Sequence, residues 1–149
     1  MVTVLEDDLQ RLAGGRHHDP FAVLGKHAVG ERVAVVRAHI PAAIEVMIAE
    51  GEVPLERIGN SDLFEWRGEP SSVPERYRLI WRDVDHREHI AHDPYVYPPL
   101  LSQADLELFA RGAHHAPYEF LGAREREIDG VAGVLFAVWA PNAERVSVV

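Results

Sequence analysis

The sequence lacks cysteine altogether and has fewer basic than acidic residues. Without cysteine there can be no disulfide framework, no cysteine-ligated zinc and no thiol nucleophile. The 15 Lys and Arg against 24 Asp and Glu leave a formal charge of −9, and the basic residues are scattered along the chain. Nucleic-acid phosphates and anionic membrane surfaces are therefore both disfavoured as partners.

Long hydrophobic runs are missing as well. No stretch approaches the roughly 18 apolar residues that a membrane-spanning helix requires, and the N-terminal MVTVLEDD carries no basic segment of the kind that opens a signal peptide. We therefore expect a cytoplasmic protein with no membrane partner. The 149 residues suffice for one domain and part of a second.

A short N-terminal helix is predicted over residues 4–13. Thr3 and Glu6 have the spacing of a capping box, and Gly14-Gly15 suits the left-handed end of a helix. Apolar residues recur between these ends at the spacing of one helix face. They are Leu5, Leu9 and Leu12.

Between residues 33 and 92, short segments alternate apolar and polar residues, as strands with one buried face do. The clearest row, which we expect to face the core, is Ala34, Val36, Ala38 and Ile40. Turn residues separate the segments and no long helix intervenes, so a parallel sheet is disfavoured. The predicted fold class is mainly β, an immunoglobulin-like antiparallel β-sandwich of five or six strands. The strands are expected near residues 33–40, 44–49, 52–58, 63–67, 77–82 and 88–92.

The sequence then contains an internal repeat. Residues 17–25 (HHDPFAVLG) are echoed by residues 114–122 (HHAPYEFLG) at an offset of 97, and each copy follows a short segment that ends in glycine. Downstream the offset becomes 100, since Pro41-Ala42-Ala43 corresponds to Pro141-Asn142-Ala143. A period this long indicates tandem domains, because solenoid repeats are shorter.

The repeat sets the expected domain organisation. Residues 1–104 form an N-terminal sandwich module, and residues 105–149 form a linker helix and the first two strands of a second module that is cut short at Val149. Ser102 is predicted to cap the linker helix, which ends near Gly112. We expect the sequence to be a fragment of a longer chain, because two strands are barely stable alone. Residues 105–149 should then be poorly ordered, or should cover their apolar row with the first module or a partner.

The chain has nine histidines, which are candidate metal ligands. His86, His89 and His92 are spaced by three, which suits neither one face of a strand nor one face of a helix. We predict no metal site and no cofactor. The pairs His17-His18 and His114-His115 recur before a proline turn, which predicts a structural role there, such as a hydrogen bond to the backbone.

Catalytic motifs are absent from the sequence, with no nucleophile elbow, no phosphate-binding glycine loop and no His-Glu-x-x-His. Tryptophans are the other candidates, because exposed aromatics can stack on sugars. Trp81 shares a row with Tyr77 and Leu79 and is assigned to the core. Trp139 is expected to be exposed or to face a neighbouring domain, and the place of Trp66 stays open.

Several of these stretches resemble the N-terminal region of bacterial glycogen branching enzymes. In the second copy they are residues 118–122 (YEFLG), 133–143 (GVLFAVWAPNA) and 146–149 (VSVV); in the first they are residues 18–25 (HDPFAVLG) and 92–95 (HDPY). The resemblance covers essentially the whole chain and implies tandem modules similar to family 48 carbohydrate-binding domains. The tandem arrangement points to the branching enzyme rather than to related debranching enzymes.

That family transfers a segment of α-1,4-glucan to form an α-1,6 branch. The resemblance implies that its catalytic carboxylates lie in a (β/α)₈ barrel that these residues do not include, so no catalytic residue is carried over. The implied partners are α-glucan (glycogen) and the barrel of the same chain. The implied role is to pack beside the barrel and to influence how α-glucan chains are held and which chain length is transferred.

Direct sugar binding has two candidate residues, Trp66 and Arg78. In glucan-binding members of the carbohydrate-binding family a lysine lies on a Tyr-Lys-type strand, and Tyr77-Arg78-Leu79 matches that strand with arginine in its place. The tryptophans of those members have no counterpart between Ile48 and Leu63 or at His89-Ile90. The alternatives to the branching-enzyme hypothesis are a free-standing α-glucan-binding module and a general immunoglobulin-like interaction domain.

Overall fold

The alternating segments fold as antiparallel strands. The computed structural model describes residues 6–144 and 146–148, and the chain separates into two compact units, Met1–Tyr97 and Pro98–Val149. The first unit contains helix α1 (Glu6–Ala13) and seven strands. The strands are β1 (Gly25–Ala28), β2 (Ala34–His39), β3 (Ala43–Ile48), β4 (Val53–Arg57), β5 (Leu63–Gly68), β6 (Arg78–Asp83) and β7 (Glu88–His92).

All seven strands belong to one antiparallel sheet with the order β1-β2-β5-β4-β3-β6-β7. The sheet is curled, so that Val36 of β2 and Phe64 of β5 share a core cluster with Val46 of β3 and Leu79 of β6. Val36, Ala38 and Ile40 lie in or against this cluster, as their alternation predicts. The mainly β, sandwich-type fold is thereby confirmed.

Helix α1 packs beside a second core cluster. Leu12 lies there with Val23, Leu24 and Leu63, and Leu9 packs against the group. The helix runs to Ala13 as predicted. The proposed cap at Thr3 and the apolar Leu5 lie outside the described residues.

Strand β1 is absent from the sequence-based prediction. Its residues, Gly-Lys-His-Ala, have no apolar alternation, so its extended conformation depends on pairing with β2 over Gly25↔Arg37 to Ala28↔Ala34. Gly25 has a φ of +88°, and a Cβ there would approach the Tyr95 backbone to 3.0 Å. Glycine is therefore required where the chain turns from the proline segment into β1.

The second unit repeats the opening of the first. Helix α2 (Gln103–Ala110) follows the predicted cap, with the Asp105 amide donating to Ser102 Oγ at 3.1 Å. Strands β8 (Gly122–Ile128) and β9 (Val131–Ala137) form an antiparallel pair. Both α2 and the Leu121-Gly122 corner lie 97 residues after α1 and Leu24-Gly25, and Gly122 also has a positive φ, +94°.

The strand register shows the same change of offset as the sequence. Gly25 pairs with Arg37 in the first unit, and Gly122 pairs with Ala137 in the second, so the offset is 97 on one strand and 100 on the other. The three extra residues fall within the β8–β9 hairpin. The two Leu-Gly corners therefore occupy equivalent backbone positions, although Gly25 packs against Tyr95 and a Cβ at Gly122 would meet nothing within 4 Å.

Residues 146–148 differ from the expectation, because they form no strand. Their counterpart in the first unit is β3, which is held between β4 and β6. Within the described part of the second unit, β8 and β9 pair only with each other. Without a neighbouring strand to supply hydrogen bonds, an alternating segment has no ladder to join.

The equivalent apolar rows differ sharply in burial. Val36 is fully buried in the first unit, whereas its counterpart Phe136 is 54% exposed. Val134 and Val138 on the same row are also exposed. In the second unit, the apolar row equivalent to the buried row of β2 is therefore exposed.

Candidate functional site

Trp66 lies on the inner face of β5. It shares its row with Phe64 and packs, half-buried, against the main core cluster. Its ring lies over Gly68, where an added Cβ would overlap the indole. Glycine at this position lets the indole lie flat along the strand, and core packing occupies much of its surface.

Arg78 begins β6 on the opposite, outward-facing row and is held by Glu50. Its Nε donates to Glu50 Oε1 at 3.0 Å, and its backbone amide donates to Oε2 at 2.8 Å. Although partial burial acts in the other direction, these hydrogen bonds hold the pKa of Glu50 below its ordinary value. The guanidinium is thus fixed in orientation while its side chain remains about half exposed, at 47%.

The structure does not bring the two sugar-binding candidates together. Trp66 lies on β5 and Arg78 on β6, and β4 and β3 lie between those strands in the sheet. One side chain is on the core row and the other on the outward row. A shared binding platform made of these two residues is therefore absent from this arrangement.

The outward row of β6 belongs to a stripe that the sequence patterns did not reveal. Met47 pairs with Pro54 on one side and with Ile80 on the other, and Ile80 pairs with Ile90. These four apolar side chains cross four adjacent strands, and Ile90 is 54% exposed. The alternation of Arg78, Ile80 and Arg82 was its only signal, because the strand register was unknown.

Charged pairs lie on either side of this stripe. Arg82 Nη1 lies 2.7 Å from Glu45 Oε1 along one edge, and Arg78 pairs with Glu50 along the other. These partly exposed ion pairs contribute little to stability individually. They lie along the two edges of the stripe, so that the apolar side chains on this half of the sheet are flanked by ion pairs.

The other tryptophans follow their sequence-based assignments. Trp81 packs against the core cluster and stacks on His89, with ring centroids 5.2 Å apart. Trp139 is exposed and makes an edge-to-face contact with Phe109 at 5.2 Å. Trp139 is therefore the exposed indole on the second unit.

The histidines considered for a metal site have separate environments. His89 Nε2 lies 2.8 Å from Asp83 Oδ2, and hydrogen bonding from His89 and from the Arg87 amide holds the pKa of Asp83 below its ordinary value. His86 has a φ of +60° in the turn before β7, and His92 lies opposite Arg78 on the outer strands. Over residues 6–144 and 146–148, no group of three or more metal-ligating side chains occurs.

The repeated histidines make the backbone hydrogen bond that their recurrence predicted. His17 Nδ1 accepts from the Asp19 amide, and His114 Nδ1 accepts from the Ala116 amide, each at 3.1 Å. Both bonds close the chain before the proline turn. Their role is structural, as expected from the repeat.

A buried polar pair at the end of the sheet escaped the sequence patterns. Tyr77 Oη donates to Asp93 Oδ2 at 2.6 Å, and the Tyr95 amide donates to Asp93 Oδ1 at 2.9 Å. Burial raises the pKa of Asp93 despite these hydrogen bonds, and burial beside Asp93 raises the pKa of Tyr77. The pair joins the start of β6 to the segment after β7, and both side chains are buried.

No helix within the described residues has the length and apolarity to cross a bilayer. Among the described residues, the exposed groups include ion pairs, the apolar stripe, the apolar row of β9 and single aromatics. Together they offer surfaces for binding and packing.

Comparison with known proteins agrees with this picture. Residues 5–95 match the family described as alpha-1,4-glucan branching enzyme GlgB, N-terminal domain. The chain is 46% identical to the 1,4-alpha-glucan branching enzyme GlgB of Methylococcus capsulatus, over 97% of the chain and 20% of that relative. It is 42% identical to the enzymes of the same name from Cellvibrio japonicus (97% of the chain, 21% of the relative) and Nitrosococcus oceani (100% and 20%).

The chain therefore spans about a fifth of the length of these relatives. The tandem arrangement, the sandwich-type first unit and the match over residues 5–95 agree with the resemblance drawn from the repeated stretches. This chain belongs to the family of N-terminal domains of α-1,4-glucan branching enzymes.

Proposed function

We propose that this chain is the non-catalytic N-terminal part of a glycogen branching enzyme. The observation that carries the proposal is the alignment with branching enzymes, which covers nearly the whole chain but only a fifth of each relative. The whole enzyme would transfer an α-1,4-glucan segment to form α-1,6 branches. Its catalytic carboxylates would come from a barrel outside these residues.

In this proposal the first unit packs beside that barrel and influences how α-glucan chains are held. Its outer surface offers an apolar stripe between ordered ion pairs, which suits packing against another protein surface better than acid–base chemistry. The α-glucan is then a partner of the whole enzyme. We also propose a cytoplasmic location. The absence of cysteine fits this location, because disulfides do not persist in a reducing compartment.

The second unit is proposed to be the first part of a second sandwich module, with helix α2 as its linker. The support is the contrast in burial between equivalent rows, since Val36 is enclosed by a facing half-sheet and Phe136 is not. Strands that follow in a longer chain would cover this row, as β3, β4 and β6 cover its counterpart in the first unit.

The test is made on two proteins. The 149-residue chain alone should show no branching activity when glucan products are assayed by iodine staining and by chain-length analysis after debranching. In the enzyme that the whole gene encodes, removal of residues 1–97 should retain activity and change the distribution of transferred lengths. Activity in the isolated chain, or an unchanged distribution, would contradict the proposal.

A free-standing α-glucan-binding module is the second candidate, and the fixed, half-exposed guanidinium of Arg78 favours it. Electrophoresis of the chain through gels containing glycogen tests this function. If Arg78 binds glucan, Arg78→Ala should abolish retardation, while Arg82→Ala, on the same row and also ion-paired, should leave it unchanged. Trp66→Phe gives the same comparison for the indole, with Trp81→Phe as its control. If glycogen does not retard the unaltered chain, a purely protein-binding role is favoured.

A further inference from the structure

The two copies share a three-part contact between helix, histidine and turn. In the first copy, His17 Nε2 lies 3.4 Å from Asp8 Oδ1 on helix α1, while its Nδ1 accepts the Asp19 amide at 3.1 Å. In the second, His114 Nε2 lies 3.0 Å from Asp105 Oδ1 on helix α2, while its Nδ1 accepts the Ala116 amide at 3.1 Å. Asp8 and Asp105 are themselves 97 residues apart, so all three parts repeat together.

We call each contact a helix–histidine–turn latch: Asp8, His17 and the Asp19 amide in the first copy, and Asp105, His114 and the Ala116 amide in the second. Both histidine side chains are nearly buried, with 5% and 10% exposure. The rings themselves are therefore largely shielded from water.

The hydrogen-bond pattern fixes the tautomer. A ring nitrogen that accepts a backbone N–H carries no proton, so Nδ1 is bare in both latches. The neutral ring then carries its proton on Nε2, which donates to Asp105 in the second latch and lies 3.4 Å from the Asp8 carboxylate in the first. In both latches the hydrogen bond from the turn amide to Nδ1 can form only while the imidazole is neutral.

We propose that each latch is a pH-sensitive lock that joins its helix to the following proline turn and opens when the histidine is protonated. Protonation places a hydrogen on Nδ1, which then faces the amide hydrogen of the residue two positions on. The Nε2–H can keep its carboxylate, so the break occurs at the turn. The proline segment would separate from the histidine while the helix keeps its contact.

The groups that face each ring are few. For His17 they are Asp8 on α1 and the neighbouring His18, whose ring stacks at 5.2 Å. For His114 they are Asp105 on α2 and the apolar ring of Phe120, which contacts it edge-on at 4.9 Å.

The turn leads directly into residues that the fold depends on. Leu24 follows the first turn and shares the second core cluster with Leu12 of α1. Opening of the first latch would therefore loosen the attachment of α1 to the sheet. The latch acts on the edge of each unit that carries β1 or β8.

Nitrogen-15 NMR of the imidazoles and hydrogen exchange of the amides test the lock in the whole chain. At about pH 8 both rings should be Nε2–H tautomers. After correction for the intrinsic pH dependence of exchange, the Asp19 and Ala116 amides should exchange about tenfold faster at about pH 5, as expected for one lost hydrogen bond. Equal protection at the two pH values, or an Nδ1–H tautomer, would overturn the proposal.

Matched variants separate a lock from a merely structural ring. Asparagine places an oxygen where Nδ1 lies but has no titration, so His17→Asn and His114→Asn should keep their turn amides protected at both pH values. Glutamine places its polar group near the carboxylate instead. In His114→Gln the Ala116 amide should therefore exchange fast at both pH values. The exposed His115→Gln serves as control and should behave as the unaltered chain. Persistence of the pH dependence in the asparagine variants would overturn the lock even if all variants fold.

Discussion

Asp93 is a carboxylic acid buried at the start of the single-turn helix Pro94–Val96, where it receives hydrogen bonds from Tyr77 and from the Tyr95 amide. A carboxyl whose pKa is higher in the folded chain than in the unfolded chain holds its proton more tightly when folded. Its contribution to folding stability is therefore greatest below the unfolded pKa of about 3.9 and falls as pH rises through the folded value.

Asp93→Asn should remove this dependence. As pH rises from about 4 to about 7, the variant should gain stability relative to the unaltered chain, so that the difference in free energy of unfolding shifts in favour of the folded variant. Urea unfolding at several pH values measures the difference. Glu31→Gln, at an exposed position, is the control. A difference for Asp93→Asn that stays constant over this range would contradict the account.

Gly68 leaves room for the indole of Trp66. A Cβ at Gly68 would overlap the Trp66 ring, so Gly68→Ala should displace the indole and cost about 1–3 kcal/mol of unfolding free energy. Tryptophan fluorescence and urea unfolding would show both effects. Gly133→Ala is the matched control, because a Cβ there meets nothing within 4 Å. Equal stability of the two variants would mean that the indole has room to move.

At the scale of elements, the same row of residues serves two environments. Strands β2 and β9 are equivalent by position and register, yet β2 is enclosed by the facing half-sheet and β9 is not. Alternation therefore predicted which residues share a face of β9. It did not predict that this face would be exposed, because burial requires a second layer.

The pair Val36→Thr and Val134→Thr makes the same chemical change on both rows. Val36 is fully buried, so its variant should lose about 1–3 kcal/mol, because a hydroxyl is placed in an apolar core. Val134 is half exposed, so its variant should change unfolding free energy by about 0.5 kcal/mol or less. Chemical denaturation followed by circular dichroism compares them. Similar losses at both sites would show that the β9 row is covered.

At the scale of the whole molecule, the described residues form one seven-stranded unit and one unit with a single strand pair. Three or more strands with a hydrophobic face are needed for independent stability. The first unit meets this requirement, with a core that draws on both halves of its sheet. Among its described residues, the second unit has one strand pair and no facing layer.

A chain ending at residue 104 should therefore melt cooperatively, at a temperature close to that of the main transition of the 149-residue chain. Calorimetry of the two chains makes the comparison. In the longer chain, amides of β8 and β9 should exchange faster than those of β2 and β5, since fewer apolar contacts protect them. Loss of all cooperative melting in the shorter chain would contradict the division.

The sequence by itself determined the features that depend on neighbours along the chain. These include the repeat with its change of offset, the alternating rows of β2 and β6, the helix ends at glycine and the histidine bonds to the turn. Each follows from backbone geometry or from a period of two or 3.6 residues. Strand β1 was not predicted, because a polar four-residue strand has no such period.

Only the tertiary structure decided which rows meet. The stripe of Pro54, Met47, Ile80 and Ile90 exists because β3 pairs in one register with both β4 and β6, and β6 is remote from β3 in the sequence. The same pairing places Trp66 inward and Arg78 outward and buries Asp93 against Tyr77. Strand order and register are set by the packing of the whole sheet, so no local pattern contains them.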